Sequence, residues 1–530
     1  MDLPSLLQAL SAPTAFPYPV DTVQVRQTHI SAVFLAGPFV YKLKKPANLG
    51  FVDFSTLEQR RHFCDEEVRL NRRLAPDVYL GVVPVIKSST GARFEGDGDV
   101  IDWAVKMRRL SDEATLHERL LRNEVTTELV ESLARRIASF HRSADNSQRI
   151  AAFGRFDGVS RIILDIFDQA SAQVGITVSD SVFRRLRALT EGALNRLRPL
   201  IEARAARGVP RDCHGDLHLD HVYYFPDKAP PADLVIIDSI EFNDRFRYID
   251  PVADMAFPAM DLAFHGRRDL AQSFIDAYFS AANDDEGRVL LPLYTAYRAT
   301  VRGMVEGLKL AEKEIPQAER AQALERARSH WLLALTELEE PSRKPRLVLV
   351  AGLPGTGKSR LAHALAEAAG FSLIRSDVIR KELAGLPADA PTPPQDPALL
   401  YSREATERTY TECLRRAEQG LFEGERVIVD ATFRDEPKRQ MFLKLAQKLG
   451  INSAILVCQV DADVARERLQ RRVGDASDAD WTIYQQISAS WERLGDQSAP
   501  ASRTISTDGS PDEVLARASE ALCELGIEGN

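Results

Sequence analysis

The residues Gly352-Leu353-Pro354-Gly355-Thr356-Gly357-Lys358-Ser359 complete the spacing G-x-x-x-x-G-K-S directly after an apolar strand candidate, Leu347–Val350. A loop of this pattern turns backbone N–H groups toward phosphate, aims the lysine at β/γ-phosphates and leaves the Ser359 hydroxyl for Mg²⁺. After it, Leu361, Leu365 and Ala368 fall on one face of a helical stretch, Ser359–Ala369. A site for ATP or GTP follows. A second cluster, His214-Gly215-Asp216-Leu217-His218-Leu219-Asp220-His221, precedes an apolar strand, Val222–Phe225, a turn, and another strand, Leu234–Ile237, that ends at Asp238. A hairpin sets its flanking ends side by side, so Asp216 and Asp238 can meet at one place. One carboxylate there can orient an acceptor hydroxyl while the other holds Mg²⁺.

Three further groups belong with the phosphate loop. Ser376-Asp377-Val378-Ile379-Arg380-Lys381 follows the second strand candidate, at the strand ends where open α/β sheets bind ligands. Asp377 can accept a hydroxyl proton there, and Arg380 can hold an anionic part of an acceptor. Val427-Ile428-Val429 ends in Asp430, suited to Mg²⁺ or to the groups around it. Arg466, Arg468, Arg471 and Arg472 lie on one helical stretch, where residues three or four apart share a face that can close over phosphates.

The elements that must position these groups divide at Glu339-Glu340-Pro341-Ser342-Arg343-Lys344-Pro345, a polar, proline-containing linker. Domains are expected at residues 1–338 and 346–530. The chain has 530 residues, beyond the size at which single cores stop growing. Before the linker, a β-rich start gives way to helices, with Tyr294–Leu338 interrupted near Pro316. After it, apolar runs at Leu347–Val350, Ser372–Ile374, Val427–Val429 and Ile455–Val460 alternate with helical stretches, which predicts a parallel sheet covered on both faces. The proline-rich stretch 386–397 reads as a loop.

Five cysteines stand singly, without C-x-x-C spacing, which argues against a disulfide framework and fits a reducing cytoplasm. No run of about eighteen apolar residues suggests a membrane span. The net charge of −9 argues against wrapping a nucleic-acid backbone and leaves room only for a local groove around a short strand.

With these residues in place, 346 to about 510 resembles the small P-loop kinases of the gluconate kinase, zeta-toxin and polynucleotide 5′-kinase group. The resemblance implies an α/β P-loop NTPase domain, AAA-like in its ATP site, with Asp377 activating the acceptor and Arg380 gripping it. Among the arginines it favours Arg468 and Arg472 as a lid. A motor-type ATPase is the rival, but Asp430 is followed by Ala431, not by a glutamate that could polarise water.

Residues 20 to about 335 resemble the aminoglycoside phosphotransferase and choline kinase superfamily, whose pattern is H-G-D-x-x-x-x-N. His214, Gly215 and Asp216 match, while His221 stands at the asparagine position and brings a softer nitrogen to the metal site. The resemblance implies an α+β, protein-kinase-like fold, with Asp238 the main metal ligand and Asp250 and Asp254 in support. Ala32–Gly37 and Phe39–Lys44 read as a hairpin carrying Lys42, the choice for the α/β-phosphate contact, with Lys44 on the same face left open. Glu67, in the helical stretch Glu66–Asn71, is its ion partner, and Asp102–Leu110 resembles the strand and hinge that cup adenine.

The expectation is a bifunctional kinase using ATP and Mg²⁺ at two sites, with small hydroxyl compounds as acceptors and no membrane partner. Two alternatives stand beside it. One makes the amino-terminal half a pseudokinase that regulates its neighbour, and the other has the carboxy-terminal half phosphorylate a polynucleotide 5′-end.

Overall fold

In the amino-terminal sheet, side chains that alternate along each strand decide what the two faces bury. β1 (Val23–Gln27), β2 (Ser31–Ala36), β3 (Phe39–Lys44), β4 (Tyr79–Ser88), β5 (Gly91–Phe94) and β6 (Val100–Arg108) pair antiparallel in the order β1-β2-β3-β6-β4-β5. On β3, Tyr41 and Leu43 join Leu10, Phe34 and Phe94 in one core. Val40 turns the other way and packs with Cys64 and Val68 of the helix Leu57–Asn71. The period of two puts Lys42 and Lys44 on that helix-facing side. The helix starts at a capping box, in which Thr56 and Gln59 each accept the other's backbone N–H.

The computed structural model of the chain describes residues 2–48, 50, 52–88, 91–312, 315–387, 400–471 and 479–527. It forms two compact units, Met1–Ile162 with Arg196–Thr295, and Ile163–Asn195 with Ala296–Asn530. In the first, β7 (Arg211–Asp212), β8 (Val222–Tyr224), β9 (Leu234–Ile236) and β10 (Tyr248–Ile249) make two short antiparallel ladders, β7 with β10 and β8 with β9. The helix Pro251–Phe264 is buried from Pro251 to Leu262, as expected of a helix apolar on nearly all sides. Asp250 caps it by accepting the Val252 N–H at 3.0 Å. The same carboxylate meets the buried Arg204 at 2.7 Å, and Arg204 also reaches Asp284 at 2.6 Å. Asp250 therefore works as a structural anchor.

The second unit carries β11 (Arg346–Gly352), β12 (Ser372–Arg375), β13 (Arg426–Asp430), β14 (Ser453–Gln459) and β15 (Ser502–Ser506), all parallel, in the order β12-β13-β11-β14-β15. β11 and β13 are buried at every residue, which is why both read as continuous apolar runs. Leu361 and Leu365 of the helix Lys358–Ala369, and Ala518 and Leu522 of Pro511–Glu524, close over Val348, Val350 and Ile428. The first strand of the sheet thus lies in its middle, and chain crossovers leave it in both directions. That is the arrangement whose carboxyl edge opens a ligand crevice. Elsewhere in this unit Trp331 is fully buried against Phe167 and Phe183. The five cysteines form no disulfide. Among the described residues no helix is long and apolar enough to cross a membrane.

Candidate active sites

In the second unit the chain leaves β11 at Gly352 with φ +139°, and a Cβ there would lie 2.6 Å from the Cys458 carbonyl oxygen. Only glycine fits that close approach of β11 to β14. Within the loop, the Thr356 hydroxyl donates to Leu353 O at 2.7 Å, and the Lys358 ammonium donates to the same carbonyl at 2.9 Å. The loop is thereby closed on itself with its lysine folded across it, before the helix Lys358–Ala369 begins.

Asp430 ends β13 opposite Val350 of β11 and Arg375 of β12, so three strand ends converge. The Ser359 hydroxyl donates to it, and Arg375 stands 3.5 Å away. Burial pushes the Asp430 carboxyl up, against Lys358, Ser359 and Arg375, while Asp377 pushes it further up. A hydroxyl and a buried carboxylate beside a lysine are hard oxygen donors of the kind Mg²⁺ takes with phosphate. Asp377, at the start of the helix Ser376–Leu383, thus lies within electrostatic reach of Asp430. Arg380 is buried, donates to Leu400 O at 3.1 Å and to the Thr406 hydroxyl at 3.2 Å, and lies over the Tyr401 ring. Arg468 donates to Thr507 O at 2.9 Å, and the Thr507 hydroxyl donates to Thr356 O at 2.7 Å. This fastens Arg468 beside the phosphate loop. Arg466 instead covers the Trp481 ring, Arg471 pairs with Glu467, and Arg472 lies outside the described residues.

In the first unit the two lysines of β3 meet a cluster of carboxylates. Lys42 is 2.9 Å from Glu67 and 2.5 Å from Asp238, and Lys44 is 2.7 Å from Glu67 and also touches Glu241. Glu67 is fully buried. Burial alone would raise its carboxyl, but Lys42 and Lys44 outweigh it and hold the group below the usual range. For both lysines burial works downward and the surrounding carboxylates reverse it, leaving Lys42 and Lys44 raised. Of the two candidates on this face, Lys42 is the one that also reaches Asp238, while Lys44 is locked inside.

Asp238 follows β9 with φ +68°, in the left-handed region, and its N–H donates to the Tyr79 hydroxyl at 3.2 Å. Next to it the Ser239 N–H donates to the Asn71 side chain at 2.8 Å. The β8–β9 hairpin brings the His214–His221 loop alongside. Gly215 has φ +90°, and a Cβ there would press on the Phe246 carbonyl at 2.9 Å. The buried Asp254 accepts the N–H groups of His214 and Gly215 at 2.9 and 2.8 Å, and the ring of His141 reaches it at 3.0 Å. His221 stands 3.5 Å from Asp238 and 3.7 Å from Asp216, and its ring lies 3.8 Å from that of His218. Burial and the adjacent His218 push His221 down, against Asp238 and Asp216. Burial raises Asp238, but Lys42 and His221 prevail and leave it strongly lowered.

The sequence patterns do not single out Glu241, Tyr79, Asn71, Thr507 or Arg375. Arg375 adjoins Ser376-Asp377, so its neighbourhood is the available signal. Thr507 meets Thr356 across 151 residues, a contact no local pattern announces.

Residues 347–494 match the family described as AAA domain (AAA_33). Over 469 residues the chain is 33% identical to "Uncharacterized protein Mb2027c" of Mycobacterium bovis, covering 88% of this chain and 90% of that protein. "Uncharacterized protein MT2060" and "Uncharacterized protein Rv2004c" of Mycobacterium tuberculosis match to the same extent. A solved sugar kinase from Janibacter sp. HTCC2649 is 18% identical, with 35% of this chain and 99% of that one covered at a TM-score of 0.27. A gluconokinase from Sinorhizobium meliloti 1021 is 20% identical, with 35% and 95% covered at a TM-score of 0.26.

Proposed function

This chain belongs to one family with the mycobacterial proteins Mb2027c, MT2060 and Rv2004c, and from that premise we propose that it is a bifunctional ATP-dependent phosphotransferase. A match of 469 residues is longer than either half, so both halves recur together in those relatives.

The observation that carries the reading is common to the two units. In each, a lysine and an aspartate that ends or follows a buried strand come together beside groups able to hold a phosphate tail, Lys358 with Asp430 and Lys42 with Asp238. In the second unit the loop Gly352–Ser359 cradles the phosphates, and Ser359 and Asp430 would hold Mg²⁺. Bound there, the ion neutralises charge on the phosphate oxygens. Asp377 takes the proton of the acceptor hydroxyl, Arg380 grips an anionic part of the acceptor, and Arg468 closes over the transferred group. Ala431 stands directly after Asp430 where a glutamate could have polarised water, which favours transfer over hydrolysis.

The first unit is read as protein-kinase-like, of the aminoglycoside phosphotransferase and choline kinase kind. Glu67 orients Lys42 toward the α/β-phosphates, Asp216 orients the acceptor hydroxyl, and Asp238 with His221 would hold the cation. Acceptors are small hydroxyl compounds in both cases.

Calorimetry on the intact chain with a non-hydrolysable ATP analogue and Mg²⁺ tests the reading. Two binding events are expected, one lost in Lys358→Ala and the other in Lys42→Met. A single event indifferent to Lys42→Met removes the first unit from the proposal, and one indifferent to Lys358→Ala removes the second. Labelled-phosphate transfer to a library of small alcohols, with a 5′-hydroxyl oligonucleotide alongside, then assigns each acceptor.

A further inference from the structure

We propose that the cation site beside Asp238 is built for a borderline divalent ion of the Mn²⁺, Co²⁺ or Zn²⁺ class, with His221 and His218 as nitrogen ligands beside Asp216 and Asp238. The proposal deepens the phosphotransferase reading of the first unit and rests on it for what the ion does.

The geometry starts at His221. Its Nδ1 lies 2.9 Å from the Asp216 carbonyl oxygen, and a carbonyl can only accept, so Nδ1 carries the proton. In the neutral ring this leaves a lone pair on Nε2, which stands 3.5 Å from Oδ2 of Asp238. Two acceptors thus face each other at a separation that a shared cation would relieve. Lys42 takes the other oxygen of Asp238, Oδ1, at 2.5 Å, so Oδ2 is the one turned toward the ring. A metal-bound imidazole ordinarily donates its second N–H to a carbonyl or carboxylate, the contact His221 already makes.

A second imidazole lies close by. His218 presents Nε2 to Oδ2 of Asp216 at 3.5 Å and Nδ1 to Asp220 at 3.2 Å. Asp216, His218 and His221 each offer a ligand atom, and these atoms lie within 4.8 Å of one another. Two ligands about 2.1 Å from a shared tetrahedral ion sit about 3.4 Å apart, close to the 3.5 Å between His221 Nε2 and Asp238 Oδ2 and between His218 Nε2 and Asp216 Oδ2. Mg²⁺ demands oxygen in near-ideal octahedral geometry and keeps its waters, whereas imidazole suits the later divalent ions. Two imidazole nitrogens in one donor set do not fit Mg²⁺ well.

The test titrates the intact, metal-stripped protein with Co²⁺ alone and follows its visible absorption. The wild type is expected to give a band of nitrogen-ligated Co²⁺ that millimolar Mg²⁺ does not displace. His221→Asn should weaken Co²⁺ at least about tenfold. His218→Asn is the second variant should the first misfold, with far-UV circular dichroism as the check on each. Co²⁺ affinity unchanged in both variants, no Co²⁺ band at all, or displacement by Mg²⁺ as easy in wild type as in His221→Asn overturns the proposal. ATP-analogue binding to Lys358→Ala in the same samples separates the two readings. A histidine-dependent Co²⁺ site without nucleotide sinks the phosphotransferase reading alone, and nucleotide binding with Mg²⁺ but no such Co²⁺ site sinks this one alone.

Discussion

The two candidate sites hold their lysines in opposite ways. Lys358 rests on a neutral carbonyl of its own loop, whereas Lys42 is wedged between Glu67 and Asp238, and Lys44 beside it between the same Glu67 and Glu241. The first arrangement keeps the charge available and the fold indifferent to it. The second makes the charge part of the core, because Glu67 and Lys44 are fully buried and each would cost several kcal/mol unpaired. Binding and stability should therefore separate cleanly in one unit and travel together in the other.

The largest effect that can break this contrast is Lys44→Met. It leaves Glu67 and Glu241 with less compensation and should lower the stability of the first unit by about 3–5 kcal/mol, read from its urea unfolding transition. A neutral result would mean that the buried charges are not coupled as described. Lys358→Ala should cut phosphoryl transfer at its site about 10²- to 10³-fold, the scale for losing one preorganised donor. Its unfolding free energy should move by no more than about 0.5 kcal/mol.

The same contrast explains which features are legible in the sequence. Eight consecutive residues make the phosphate loop, and its chemistry is carried largely by backbone N–H groups, so Gly352–Ser359 stands out as a unit. The buried strands β11 and β13 are legible for a related reason, since apolar runs mark strands covered on both faces. β15 escapes detection, because Ser502–Ser506 is a polar edge strand that buries only Ser502 and Ile505 and has no such run. In the first unit the site is assembled from β3, the helix Leu57–Asn71, the His214–His221 loop and the residues after β9. Residue types and family resemblance point to Lys42 and Glu67. That Glu67 bridges both lysines depends on how the helix Leu57–Asn71 packs on β3, and that Glu241 completes the cluster depends on packing across nearly 200 residues. The resemblance groups Asp250 with the site, whereas its place on Arg204 is set by tertiary packing that no local pattern encodes.

A smaller effect sharpens the comparison through the backbone. Gly215→Ala places a side chain at φ +90° against Phe246, and should cost about 1–3 kcal/mol with a loss of function in the first unit only. The smallest is a control away from both sites. Glu306 in the second unit is buried, which pushes its carboxyl up, but Lys309 and Arg326 prevail and hold it below the usual value of 4.5. A carboxyl lowered by folding stabilises the protein above its unfolded pKa, and that contribution fades as pH falls through the folded one. The wild type's advantage over Glu306→Gln in urea should accordingly shrink from pH 7 to pH 4, with nucleotide binding the same in both.

The left-handed turn at Asp238 bears on how that position should be interrogated. Aspartate and asparagine tolerate such a conformation through local hydrogen bonding, and most other side chains are penalised in it. Asparagine therefore erases the ionic character while keeping the chain's path comfortable, and alanine perturbs both together. Any alanine survey of this molecule will overstate what the negative charge at that point is worth.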